Sequence, residues 1–227
     1  MLRRNSRPRM RRLLASLVSA IGLMLVLLTP TLANATTDQV TKPNGPLTAS
    51  WWQEFVGITD ANIFRGCDVG TQKIVFLTGT TGESSTDTRS CTTDKTTFLV
   101  PLINVECSTA EGNGDTFKEL ARCAKEDFAD YFTALNLTID GRTIGDLNSY
   151  RVEAKGHFTS VPDNVFAIPA YNKSKFAADG YWALITLTPG EHEITFGGTF
   201  AKPGTPEFTT QVTYNLTITD KHRGRSG

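Results

Sequence analysis

Two glutamates flank one of the chain's three histidines in "DGYWALITLTPGEHEITFGG", Asp179 to Gly198. An imidazole between two carboxylates has the residue types of a metal site or an acid/base pair. To act together these groups must converge, and the local period decides whether they do. The neighbours alternate as in a strand, so His192 shares a face with Ile194 and Phe196 while Glu191 and Glu193 point the other way. His192 therefore reads as a half-buried structural residue. His157, before Phe158, would build a metal or acid/base centre only by meeting His192, with Asp179 or Glu153 alongside. His222 lies in the basic tail "KHRGRSG", residues 221–227, which reads as disordered.

Other chemistry is sparse. No two carboxylates have a spacing that dictates a glycosidase-type pair. There is no GxSxG, Walker or dinucleotide-binding glycine pattern, so the sequence calls for no cofactor. "EGNGD", Glu111 to Asp115, has the alternate acidic and amide side chains of a calcium loop. Arg122 stands where the distal glutamate should be, and a helix-initiating loop is the better reading. Cys67, Cys91, Cys107 and Cys123 include no close CxxC pair for zinc, and an even count in an oxidising compartment favours disulfides. Three connectivities are open. Cys67 with Cys91 and Cys107 with Cys123 is favoured, because each joins neighbouring elements. The aromatics are the best lead: Trp51, Trp52, Tyr181 and Trp182 could form a flat platform for stacking sugars, or they could be core. Tyr181 and Trp182 point to opposite faces of a strand, so one at most faces inward.

These residues need elements to hold them. Six arginines up to Arg12, an apolar run from Leu13 to Leu28 and "ANA" at 33–35 form a secretory signal peptide over residues 1–35, with "RRLLAS" a loose twin-arginine-like feature. Its removal takes away six of the 23 bases and none of the 23 acids, leaving 17 against 23, a net charge of −6. A net-acidic domain is a poor partner for nucleic acid or an anionic membrane surface. Residues 36–46 read as a flexible lead and 47–220 as a single domain. "TASWWQEFVG" predicts a short Trp-bearing helix capped by Thr48. "QKIVFLTG" predicts a buried strand, "TTGESSTDTRS" (80–90) an exposed loop, and "TTFLVPLINVE" a strand whose Pro101 marks an edge or bulge. Asp115 to Leu135 predicts one long amphipathic helix, with Phe117, Leu120, Ala124, Phe128, Phe132 and Leu135 on a stripe and a Thr116/Glu119 capping box. Beyond it the period becomes two. Asp140-Gly141 signals a tight hairpin, Pro189-Gly190 a type II turn, and "EFTTQVTYNLTIT" a half-buried strand. The sequon matches at Asn136, Asn172 and Asn215 read as chance, two of them within strands.

"WWQEF", Cys67, "VFLTG", "RSC", "FLVPLIN", "IDG", the Asp179–Gly198 stretch and "TYNLTIT" together resemble a family of uncharacterised secreted bacterial proteins, over Trp51 to Ile218. The chain departs from it at Glu54 and Val75, where that family has tryptophan. The resemblance implies a common fold and no particular activity. The expected fold is mainly β: an antiparallel β-sandwich, jelly-roll-like, with the long helix and the short Trp-bearing helix packed on it. Three functions fit. The first is a secreted or envelope-associated non-catalytic domain that binds a glycan or an extracellular protein. The second is a secreted hydrolase or metal-dependent enzyme using His157, His192 and nearby carboxylates, and the third is a purely structural envelope protein. Exposed aromatics would favour the first, converging histidines the second, and buried tryptophans with scattered histidines the third.

Overall fold

A computed structural model describes residues 38–81 and 84–220. The signal peptide read at 1–35 and the tail at 221–227, with His222, lie outside the described residues. The chain is mainly β, with two mixed sheets packed together and few helices. The first sheet contains β1 (Gln39–Thr41), β2 (Ile74–Phe76), β4 (Thr97–Ser108), β7 (Arg151–Ser160) and β8 (Tyr171–Thr186). The second contains β3 (Ser85–Thr93), β5 (Phe132–Ile139), β6 (Arg142–Thr143), β9 (Gly190–Phe200) and β10 (Phe208–Ile218). β8 is the spine of the first sheet: β4 pairs along one edge, and β7 and β1 share the other. Helix α1 (Gly45–Phe55) buries Trp51, Trp52 and Phe55 against one face of that sheet, with Phe76, Leu99, Phe176 and Trp182. The opposite face packs on the second sheet through Val100, Ile103, Tyr181, Phe196, Val212 and Tyr214. Tyr181 and Trp182, on opposite faces of β8, are therefore both buried, at 7% and 1% exposure, because both faces are covered.

Several expectations are corrected. The sheets are mixed rather than purely antiparallel, since β2 pairs β4 and β3 pairs β10 in parallel. β3 occupies most of the predicted loop. Its side chains carry almost no apolar signal, and it is held by main-chain pairing to β10 and by buried Arg89, which donates to the Thr78 and Gly79 carbonyls and the Tyr214 hydroxyl at 2.8, 3.0 and 3.0 Å. The lead is ordered over Gln39–Thr41, where it pairs with β8. Helix α1 begins three residues before Thr48, capped by the Asn44 side chain, which accepts from the Leu47 N–H at 2.9 Å; Thr48 donates back to the Gly45 carbonyl. Pro189-Gly190 connects the two sheets, so the strands on either side of it do not pair with each other.

The predicted long helix is also shorter than its stripe. After the short α2 (Ala61–Arg65), α3 spans Phe117–Arg122, with the expected Thr116/Glu119 capping box. A π-type turn over Cys123–Phe128 and a 3₁₀ turn at Ala129–Tyr131 end the helical run, and Phe132 and Leu135 belong to β5. β5 is irregular between Thr133 and Asn136, with Ala134 at φ 47°. That extra residue stretches the strand's period from two to three, which imitates helical spacing. Pro101 does mark a bulge: the β4–β8 register shifts between Pro101 and Ile103. The Asp140-Gly141 hairpin forms, with φ 51° and 75°.

Candidate cleft along strand β4

β2 flanks β4 only over Thr97–Leu99, and beyond that point a cleft of about 320 Å³ opens beside the strand. One wall carries Trp51, Trp52, Phe166 and Ile168 from the α1 side. The other carries Phe128, Phe132 and Phe208 from the side of the second sheet. Three buried side-chain atoms among the described residues have no hydrogen-bond partner: Trp52 Nε1, Thr80 Oγ1 and Glu106 Oε2. All three residues line this cleft. A buried polar group without a partner costs on the order of 1–3 kcal/mol. The three are an indole donor, a hydroxyl and a carboxyl oxygen, and their residues all belong to one lining. Trp51, by contrast, is satisfied, donating Nε1–H to the Leu77 carbonyl at 2.7 Å.

Glu106 and Glu111 are the only ionisable residues in the lining. Glu106 is 8% exposed. Burial first, and its hydrogen bond to the neighbouring Glu111 carboxyl second, push it up to about 10, with the Ser108 hydroxyl acting weakly in the opposite direction. Glu106 therefore keeps its proton across the neutral range. Ser108 ties the two together, its hydroxyl donating to Glu111 Oε2 at 3.3 Å. Asn113 fixes the intervening turn, its Oδ1 accepting from the Ser108 N–H at 2.9 Å. The residues read as a calcium-type loop are thereby committed to a turn and to the α3 cap, where Glu119 accepts from the Asp115 and Thr116 N–H groups at 3.0 Å each.

The histidines do not converge. His192, on β9, hydrogen-bonds Asp140 through Nδ1 at 2.8 Å and the Thr188 carbonyl through Nε2 at 2.9 Å. Burial pulls its pKa down, but Asp140 and the Thr188 carbonyl outweigh it, so the value lies above the ordinary one. His157, exposed on β7, stands perpendicular to Phe117 with ring centroids 5.3 Å apart. Buried Asp179 is spent on Arg151, at 2.9 and 2.6 Å, and neighbouring Glu153 is exposed. Among the described residues no group of three or more His, Cys, Asp or Glu is placed to hold a metal. The flat aromatic platform is also not formed. Trp51 and Trp52 are 2% and 6% exposed, with Trp51 packed edge-on against Trp52 and Trp182 at 83° and 75°. Trp51 and Trp52 reach the cleft wall, but Tyr181 and Trp182 do not.

Cys67 with Cys91 and Cys107 with Cys123 stand at disulfide distance, with Cα atoms 5.6 and 6.1 Å apart. The second pair pins the α3 segment beside Glu106. Sequence reasoning missed Glu106 and Thr80. The available signal was a glutamate at the inward end of the otherwise apolar run "FLVPLINVE", five residues before a second glutamate. Comparison with family models, with curated proteins and with solved structures returns no match.

Proposed function

We propose that this is a secreted or envelope-associated, non-catalytic binding domain whose ligand lies in the cleft beside β4. The presence in one lining of Trp52, Thr80 and Glu106, whose Nε1, Oγ1 and Oε2 are buried and unpartnered, carries the reading. Buried tryptophans and scattered histidines on their own would favour a purely structural protein. Three unsatisfied groups in one aromatic-walled cleft favour binding, since a pure scaffold gains nothing from their cost. A protein ligand fits better than a glycan, because the ring faces a sugar would stack on are turned against one another. The leader at 1–35 and the paired cysteines support export. Among the described residues no helix is long and apolar enough to cross a membrane. The two packed sheets are read as a jelly-roll-like β-sandwich, shared with the secreted bacterial family that the sequence resembles.

The test is a titration of the purified mature domain with N-phenyl-1-naphthylamine, a neutral apolar fluorophore. Saturable enhancement is expected, weakened several-fold by Thr81→Phe at the exposed rim. No enhancement, or enhancement that Thr81→Phe leaves untouched, defeats the proposal.

A further inference from the structure

We infer that the cleft takes an extended peptide segment, which adds as a further strand along β4 at Leu102–Glu106 and sets a basic side chain on the Glu106–Glu111 pair. This rests on the cleft being the ligand site. Six consecutive residues, Pro101 to Glu106, line it. Successive side chains of a strand point to opposite faces, so one cleft touched by all six runs along the strand's edge rather than over a face. The walls agree, since they come from the two hydrophobic clusters on opposite faces of the first sheet.

The edge is open over a defined length. At its start the Leu77 N–H donates to the Leu99 carbonyl at 3.0 Å, and at its end the Asn113 N–H donates to the Ser108 carbonyl at 3.1 Å. Among the described residues, β8 is the only strand paired with β4 between these closures. A strand paired on one side presents alternate N–H and C=O groups on the other. The open run of Leu102–Glu106 is roughly 17 Å long at about 3.3 Å per residue, the span of a five- or six-residue strand. A glycan or an acyl chain would leave that row of main-chain groups unpaired, whereas an extended peptide pairs it. The bulge at Leu102 sits within the same stretch and adds local twist, as bulges beside binding sites do.

Charge selects the peptide's side chain. The lining holds two carboxyls and no base, and one carboxyl oxygen, Glu106 Oε2, is buried without a partner. A lysine ammonium or an arginine guanidinium supplies the donors that the pair lacks. The walls of Trp52, Phe128, Phe166 and Phe208 take the apolar side chains that alternate with it.

The experiment uses the oxidised mature domain and acetylated hexapeptides of alternating Val and Thr with Lys at either end. Controls carry Glu in place of Lys, or N-methyl groups on alternate main-chain nitrogens. We expect one Lys peptide to displace N-phenyl-1-naphthylamine and to protect the amides of Leu102–Glu106 from hydrogen exchange. N-methylation should weaken it roughly tenfold or more, since several main-chain bonds are lost together, and Glu106→Gln roughly fivefold, since a carboxyl can ionise against the bound ammonium and an amide cannot. If the fluorophore binds but no peptide displaces it or protects these amides, strand addition fails while the binding function stands. If neither binds, both fail. Equal affinity for Lys and Glu peptides overturns the basic contact, and protection of the same amides by self-association without peptide makes the occupant a second copy, overturning the inference.

Discussion

Glu106 concentrates the conflict between stability and binding in a single residue. Its carboxyl is held protonated to about 10 in the folded chain, against an ordinary value of 4.5. Between those values the unfolded chain gives up a proton that the folded chain keeps, so stability falls as pH rises. The contribution is fully present below pH 4.5 and is lost progressively toward pH 10. Glu106→Gln keeps a neutral, hydrogen-bonding side chain of similar shape and removes this linkage. The variant should be nearly equal in stability to the parent at pH 4.5 and more stable than it at pH 8, the gap widening as pH rises. Thermal unfolding of both proteins from pH 4.5 to 9 checks this, and parallel curves would refute it. The sequence offered only a glutamate ending an apolar run, because its pairing with Glu111 depends on the turn built by Ser108 and Asn113. His192 was legible: alternation alone placed it on the apolar face, away from Glu191 and Glu193.

The elements were legible where side-chain period and turn chemistry agreed. β10, the Asp140-Gly141 hairpin and the Thr116/Glu119 cap are all as the residues predict. The failures share one cause, main-chain pairing that the side chains do not announce. β3 and β1 are strands because β10 and β8 offer free edges, and the bulged β5 borrows a helical spacing. The open edge of β4 is equally silent in the sequence, yet one glycine on the neighbouring strand is shaped to it. Gly180, with φ +153°, lies opposite Asn104, and a Cβ there would stand 2.5 Å from both the Ile103 carbonyl oxygen and Asn104 Cα. Both are backbone atoms, so β4 would have to move away just where it floors the cleft. Gly180→Ala should cost on the order of 3 kcal/mol or more. Gly145→Ala, where a Cβ meets nothing within 4 Å, should be near neutral. Urea unfolding midpoints compare the two, and equal midpoints would show that β4 yields freely.

At the scale of the whole molecule, the cleft exists because three separately held bodies meet at the β4 edge: the α1 layer, the first sheet, and the helical turn that leads into the second sheet. The cysteine pairs bear on this meeting differently. Cys67–Cys91 ties the segment before β2 to β3 in the second sheet, on a structural path that does not enter the lining. Cys107–Cys123 joins β4 itself to the turn carrying Phe128, one residue beyond Glu106. The loops they close, 24 and 16 residues, differ little in chain entropy, so each should be worth about 3 kcal/mol of global stability. Their local effects should not be alike. Replacing Cys107 and Cys123 by Ala should speed amide exchange in β4 from Leu102 to Glu106 and in the Cys123–Phe128 turn, and should weaken N-phenyl-1-naphthylamine binding several-fold. Replacing Cys67 and Cys91 by Ala should lower the melting temperature by a similar amount and leave fluorophore affinity within about twofold at a temperature where both variants are folded. Equal losses of affinity in the two double variants would mean that the cleft answers only to overall stability. Loss confined to the Cys107–Cys123 variant would tie the ligand site to the one covalent link that spans its floor and wall.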